Sequence, residues 1–127
     1  MLELLDRLPQ SYYVLFIIYY FLTVAIETPI LCIGLSREHP MRRRILSGFW
    51  LTACTYPIVW FVVPEWFDPV EERAAYLAAA ESIAHFGECG LFYLAFQPRL
   101  HPWRDLAVVF AANLASFGIG ECLYLFG

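Results

Sequence analysis

Residues 81–89, ESIAHFGEC, place three ionisable side chains within an apolar segment long enough to be a membrane-spanning helix. Glu81, His85 and Glu88 are spaced at i, i+4 and i+7, so a helix projects them from one face. A charged group at the centre of a spanning helix costs roughly 2.5–3.5 kcal/mol on insertion scales. These side chains are therefore predicted to meet each other, water or a partner rather than lipid.

The composition of the whole chain is typical of a membrane protein. Of its 127 residues, 61% are hydrophobic, 18% are aromatic and only 16% are charged. A helix needs about 20 mostly apolar residues to cross the hydrocarbon core, so the chain has room for four spans with short loops. The sequence predicts an all-α fold, a four-transmembrane-helix bundle that forms one integral membrane domain over 1–127. The predicted spans are about 11–35, 45–64, 73–96 and 106–126.

The distribution of arginine predicts the orientation of these spans. Six arginines fall in the two loops that would share one side of the membrane: Arg37, Arg42, Arg43, Arg44, Arg99 and Arg104. Arg7 and Arg73 fall on the other side. The basic side is expected to be cytoplasmic, which makes both termini external, or periplasmic if the membrane is a bacterial inner membrane. The short Arg run is interpreted as a topology signal, so no nucleic-acid partner is expected.

Smaller features lie between and before the spans. His39 and His101 each stand beside a proline in the inner loops and are expected to face solvent or lipid headgroups. Asp68 is predicted to cap the third helix, with Pro69 at its first position. Residues 1–10 lack the basic start and cleavage pattern of a signal peptide, and their leucines can lie in the membrane interface.

Polar residues on the other spans extend the stripe into a candidate site. Estimated depths put Glu121 and Glu81 in the outer half, His85 near the midplane, and Glu88, Asn113 and Glu27 on the inner side. If three helices turn these faces inward, the six side chains form one buried polar site. Its predicted supporting residues are Tyr20 and Thr23 on the first span, Thr52, Thr55 and Tyr56 on the second, and Ser116 on the fourth.

Two chemistries fit this site. Buried carboxyl groups around an imidazole can relay protons. The same groups can bind a divalent ion, with Glu81, His85 and Glu88 as candidate ligands, so a divalent metal ion is the one cofactor considered. The chain shows no phosphate-binding loop and no serine-nucleophile elbow, and an enzyme is not expected. An intramembrane metalloenzyme is the remaining catalytic alternative.

Two functions from different classes follow. The first is a small membrane protein that binds or translocates a proton or a divalent metal cation, as a homo-oligomer or within a larger complex. The second is a non-catalytic membrane subunit or assembly factor whose polar stripe docks onto a larger membrane complex. The first function requires the polar faces to converge, whereas the second requires them to point outward.

Overall fold

The structure, a computed structural model, describes residues 10–126. Every long element of secondary structure in this range is a helix. The helices are α1 (Gln10–Gly34), α2 (Met41–Pro57), the short α3 (Val63–Trp66), α4 (Arg73–Phe96) and α5 (Pro102–Phe126), and a π-helical segment, Ile58–Val62, joins α2 to α3. No strand occurs between residues 10 and 126. The predicted interfacial segment and Arg7 lie outside the described residues.

Three of these helical stretches are long and apolar enough to cross a membrane: Gln10–Gly34, Met41–Trp66 and Pro102–Leu123. A fourth helix, α4, carries Glu81, His85 and Glu88 and occupies the range expected for the third span. Large apolar side chains such as Ile18, Phe21 and Ile33 are exposed on α1, where a soluble protein would place polar residues. These features support an integral membrane protein.

Two helices begin earlier than the span limits inferred from hydropathy. The second begins at Met41 rather than near 45, because Pro40 is extended and ends the preceding loop. Arg42, Arg43 and Arg44 thus lie in the first turns of α2 rather than in a loop. The fifth helix begins at Pro102, where proline's missing N–H costs nothing. Hydropathy marks the hydrocarbon core, whereas helices continue beyond it.

Each long helix packs against two others. The first helix, α1, contacts α2 and α5, and α4 contacts the same two helices. A cluster of buried apolar side chains fills the half of the structure nearest the arginine-rich end, which is the end where α1 leads into α2 and α4 leads into α5. Its members are Leu31, Leu35, Leu51, Phe92, Val109 and Ala112. The other half is more open and contains the polar cavity described below.

A proline changes the helix geometry where α2 ends. Pro57 has no N–H to donate to the carbonyl one turn back, and the chain continues as the π-helical segment. Two carbonyls of this segment accept side-chain hydrogen bonds from neighbouring helices. The Tyr76 hydroxyl donates to Val59 O over 3.2 Å, and the Tyr12 hydroxyl donates to Trp60 O. Tyrosines from α1 and α4 therefore hold two adjacent residues of the altered segment.

Gly48 allows α1 and α2 to approach closely. A Cβ atom at Gly48 would lie 2.0 Å from Thr28 Oγ1 and 3.2 Å from Thr28 Cα. Glu27 precedes Thr28, and Thr52 lies one helical turn beyond Gly48. The close approach therefore brings the Glu27 carboxyl group within reach of the Thr52 hydroxyl, which lies 3.0 Å away.

We expect Gly48→Ala to lower the free energy of unfolding by about 1–3 kcal/mol, because α1 and α2 must separate to admit the methyl group. The matched control is Gly90→Ala on α4, where an added Cβ meets no atom within 4 Å. That change should be neutral or stabilising, since alanine favours helix. Thermal unfolding in detergent measures both. Equal melting temperatures for the two variants would contradict the close packing at Gly48.

Candidate functional site

A cavity of about 570 Å³ lies between the four long helices and collects most of the polar residues singled out from the sequence. The predicted residues that line it are Thr23, Glu27, Thr52, Thr55, Tyr56, Glu81, Glu88, Asn113, Ser116 and Glu121. The described lining residues include four glutamates and a single basic residue, Arg73. The cavity is therefore acidic, and its polar side chains come from every long helix.

Glu27 is the carboxyl group that α1 contributes, and it is only 2% exposed. Its Oε2 accepts a hydrogen bond from Thr52 Oγ1 at 3.0 Å, and its Oε1 accepts one from Ser116 Oγ at 2.7 Å. Hydroxyl groups from α2 and α5 thus bind the two oxygens of one carboxyl group on α1.

Glu88 occupies the equivalent place on α4 and is 3% exposed. Thr55 Oγ1 donates to its Oε2 at 3.0 Å. Thr52 and Thr55 are three residues apart on α2 and share a face, so one helix serves both carboxyl groups. Among the described residues no salt bridge reaches Glu27 or Glu88. Hydroxyl donors, rather than basic side chains, satisfy these two buried acids.

The hydroxyl groups at this site can serve either protonation state of the acids. Thr52 Oγ1 lies 3.0 Å from Gly48 O as well as from Glu27, and Ser116 Oγ lies 3.0 Å from Asn113 O. A hydroxyl has one proton to donate and lone pairs to accept. It can donate to a carboxylate, or donate to the backbone carbonyl and accept from a carboxylic acid. Glu27 can therefore gain or lose a proton while both hydroxyls keep a hydrogen bond.

His85 does not line the cavity, although it lies on the same helix. Its Nδ1 donates to Glu81 O at 2.8 Å, and Glu81 Oε2 lies 3.5 Å from the same nitrogen. The ring packs edge-on against Phe110 of α5, with centroids 4.6 Å apart. Within the described residues, the buried Nε2 has no hydrogen-bond partner. His85 thus approaches Glu81 but does not join Glu88 in a compact ligand set.

Glu121 lies at the end of the cavity that is farther from the arginine-rich end of the structure. It forms an ion pair with Arg73, which begins α4, and both side chains are about one-quarter exposed. The helices α4 and α5 are antiparallel, so the start of one meets the end of the other. Sequence reasoning assigned Arg73 only to the outer side of the membrane, because nothing local links it to a residue 48 positions away.

The remaining predicted supporting residue, Tyr20, lies outside the cavity. Its hydroxyl donates to Phe49 O at 2.9 Å and fastens α1 to α2. Aromatic side chains that were not predicted as site residues also line the cavity: Tyr12, Tyr19, Trp60, Tyr76 and Phe117. Aromatic residues are frequent throughout the chain, so composition alone could not distinguish these from rings that face lipid.

A second buried polar group closes the arginine-rich end of the structure. Asp105 Oδ1 accepts from Ser36 N at 2.8 Å, and its Oδ2 accepts from Ser36 Oγ at 3.0 Å and from His39 Nε2 at 2.8 Å. His39 is 1% exposed and packs against Phe92. The expectation that His39 faces solvent or headgroups is therefore wrong. The missing signal was Asp105, 66 residues away. His101, in contrast, is exposed.

Two arginines complete this group. Arg43 Nη1 donates to His39 Nδ1 at 3.2 Å, and because a guanidinium only donates, the other ring nitrogen carries the proton given to Asp105. Arg44 donates to Cys32 O at 2.6 Å, to Ser36 O at 2.8 Å and to His39 O at 2.8 Å. It thereby binds one carbonyl in the last turn of α1 and two carbonyls in the loop that follows.

Glu38 joins the two loops at this end. Its carboxylate accepts from Arg99 N at 2.8 Å and from Leu100 N at 3.2 Å. The hydrogen bond from the Arg99 backbone is the main reason that the pKa of Glu38 lies below its usual value. A lowered pKa means that this contribution to stability is present at neutral pH and is lost as the pH falls through the folded-state pKa.

Ligand atoms of Glu38, His39 and Asp105 lie within 4.8 Å of one another, which gives a buried group of the residue types that bind divalent ions. It is the one such group in the described part of the chain. All three side chains already bind protein donors or acceptors, and Arg43 contacts His39 directly. A cation would have to displace these bonds beside a positive charge. The group is better explained as a structural connection between the two loops.

Comparison with protein-family models, curated proteins and solved structures finds no match for this chain. The functional interpretation therefore depends on the geometry of the residues themselves.

We expect Asp105→Ala to lower the free energy of unfolding by roughly 2–4 kcal/mol, because it leaves Ser36 and His39 with buried, unpaired donors. The control is His101→Ala in the neighbouring loop, where the side chain is exposed. Thermal unfolding of both variants in detergent gives the comparison. If Asp105→Ala has the same melting temperature as the control and the wild type, the hydrogen bonds of Asp105 do not stabilise this end of the structure.

Proposed function

We propose that this protein spans the membrane four times and binds a proton or a small cation at Glu27 and Glu88, passing it along the cavity. The observation that carries the proposal is that carboxyl groups from two different helices, each nearly fully buried, converge on one cavity where no basic side chain among the described residues pairs with them. Ionised carboxylates are costly to bury without a positive partner. A proton or a cation supplies what this site lacks.

A proton is the species that the local geometry favours. The threonine and serine hydroxyls accommodate both forms of the carboxyl group, as described above. A divalent metal is less well supported, since Glu81, His85 and Glu88 do not form a group of three close ligand atoms. His85 can still take part in proton transfer with Glu81, because its Nδ1 lies 3.5 Å from that carboxylate.

The inward placement of these acids supports the proposal over docking onto a larger complex. A docking stripe would need Glu27 and Glu88 on the outer surface, whereas both are buried between helices. The site also needs no second copy of the chain to bring its acids together. An oligomer or a larger complex remains a prediction, as does the orientation with both termini in the periplasm of a bacterial inner membrane.

We expect Glu27→Gln and Glu88→Gln each to reduce proton movement at least about tenfold, because each removes an ionisable group from the proposed path while keeping its shape. The measurement is the rate at which a pH gradient decays across proteoliposomes that contain an internal pH-sensitive dye. The control variant is Glu65→Gln, since Glu65 is exposed and lies outside the cavity.

A parallel measurement addresses metals. Elemental analysis of the purified wild type and the Glu88→Gln variant should show no difference in bound divalent metal if the site serves protons. Unchanged gradient decay in both glutamine variants, together with metal content equal to that of protein-free samples, would refute the proposed function.

A further inference from the structure

The size of the cavity exceeds what a proton or a bare metal ion requires. Its volume of about 570 Å³ falls within the range of about 300–1,000 Å³ that is typical of sites for small organic molecules. The acids and hydroxyls occupy only part of its wall. A site built solely for an ion would be expected to close around the ion more tightly.

The cavity is elongated, with a different chemistry at each end. Along α1, 15 residues separate Tyr12 from Glu27, and along α4 15 residues separate Arg73 from Glu88. At a rise of 1.5 Å per residue these spacings correspond to about 22 Å. Aromatic side chains and the Arg73–Glu121 ion pair surround one end, and the buried acids lie at the other.

The aromatic end is held in place by bonds and ring contacts. The hydroxyls of Tyr12 and Tyr76 donate to carbonyls of the π-helical segment. Tyr56 stacks on Trp60 with an interplanar angle of 24°, and Tyr19 packs against the same indole at 5.8 Å between centroids. Fixed aromatic rings attract organic cations through their negative faces and also bury apolar groups.

We propose that the cavity binds an elongated organic amine, with its apolar or aromatic body among the rings and its ammonium group at Glu27 and Glu88. Both parts of the site favour such a molecule. The carboxyl groups bind the ammonium by charge-assisted hydrogen bonds, and the rings contact the body. This inference rests on the proposed function, since it adds an organic cation to the proton as a second species that binds to the same two acids.

The test compares two probes of similar shape that differ in charge. 4-Phenylbutylamine is cationic at neutral pH, and 4-phenylbutanol is not. Binding of each is measured by titration of purified protein in lipid nanodiscs, with empty nanodiscs subtracted to remove partition into lipid. We expect the amine to bind at least about tenfold more tightly than the alcohol, because only the amine can pair with the acids.

Variants at the acidic and aromatic parts of the cavity show where the probe binds. Glu88→Gln should weaken amine binding about tenfold or more and leave the affinity for the alcohol unchanged, whereas Glu65→Gln should change neither. Tyr19→Leu should weaken amine binding about threefold to tenfold, and Tyr19→Phe, which keeps the ring, should not. Thermal unfolding without probe shows that each variant is folded.

The outcomes separate this inference from the proposed function. Equal affinity for amine and alcohol would overturn it, because the cavity would then be merely apolar, as a site for a lipid tail would be. Absence of amine binding would also overturn it, even where the glutamine variants slow the decay of a pH gradient and the proposed function stands. Amine binding that depends on Glu88 and on the ring at Tyr19 would support it.

Discussion

The structure depends on one constraint: a carboxyl group between membrane helices must be given hydrogen-bond partners by those helices. Thr52 and Thr55 meet this need for Glu27 and Glu88 from a single face of α2. The bond from Thr52 to Glu27 depends on Gly48, whose missing side chain lets α1 lie against α2. Helix packing and the geometry of the polar site are therefore coupled, and a change in the distance between α1 and α2 disturbs both.

Charged side chains are arranged differently at the two ends of the protein. At the arginine-rich end, His39, Asp105 and Arg44 form a network in which almost every donor and acceptor is used. At the other end a single ion pair, Arg73–Glu121, lies in the wall of the cavity and is partly exposed. The first arrangement rigidifies the loops, whereas the second is weaker and easier to separate. Access to the buried acids is therefore expected from the Arg73 end.

Hydropathy and residue spacing were sufficient to predict the long helices, and α4 has the bounds expected for the third span. The prediction that Asp68 caps this helix is wrong, because Glu72 is its N-cap and Asp68 instead accepts hydrogen bonds from Val70 N and Glu71 N in the preceding turn. They could not predict helix partners. At about 100° per residue, His85 lies roughly 40° to one side of Glu81 and Glu88 roughly 20° to the other. That separation of about 60° is enough to put Glu88 in the cavity and His85 against Phe110. The burial of His39 could not be predicted, because its partner, Asp105, is distant in sequence. The aromatic lining of the cavity could not be predicted either, because its rings come from several different helices and from the π-helical segment.

Distance-dependent cross-linking in native membranes can establish whether Glu27 faces α5 inside a single chain. Cysteines placed at Glu27 and Ser116, after replacement of the four native cysteines by alanine, should be joined by a short bifunctional thiol reagent within one chain, since these side chains lie 2.7 Å apart. Cysteines at Glu27 and Leu114 should not be joined, because Leu114 is exposed on another face of α5. Equal cross-linking of both pairs, or a product of two chains joined through position 27, would contradict the account.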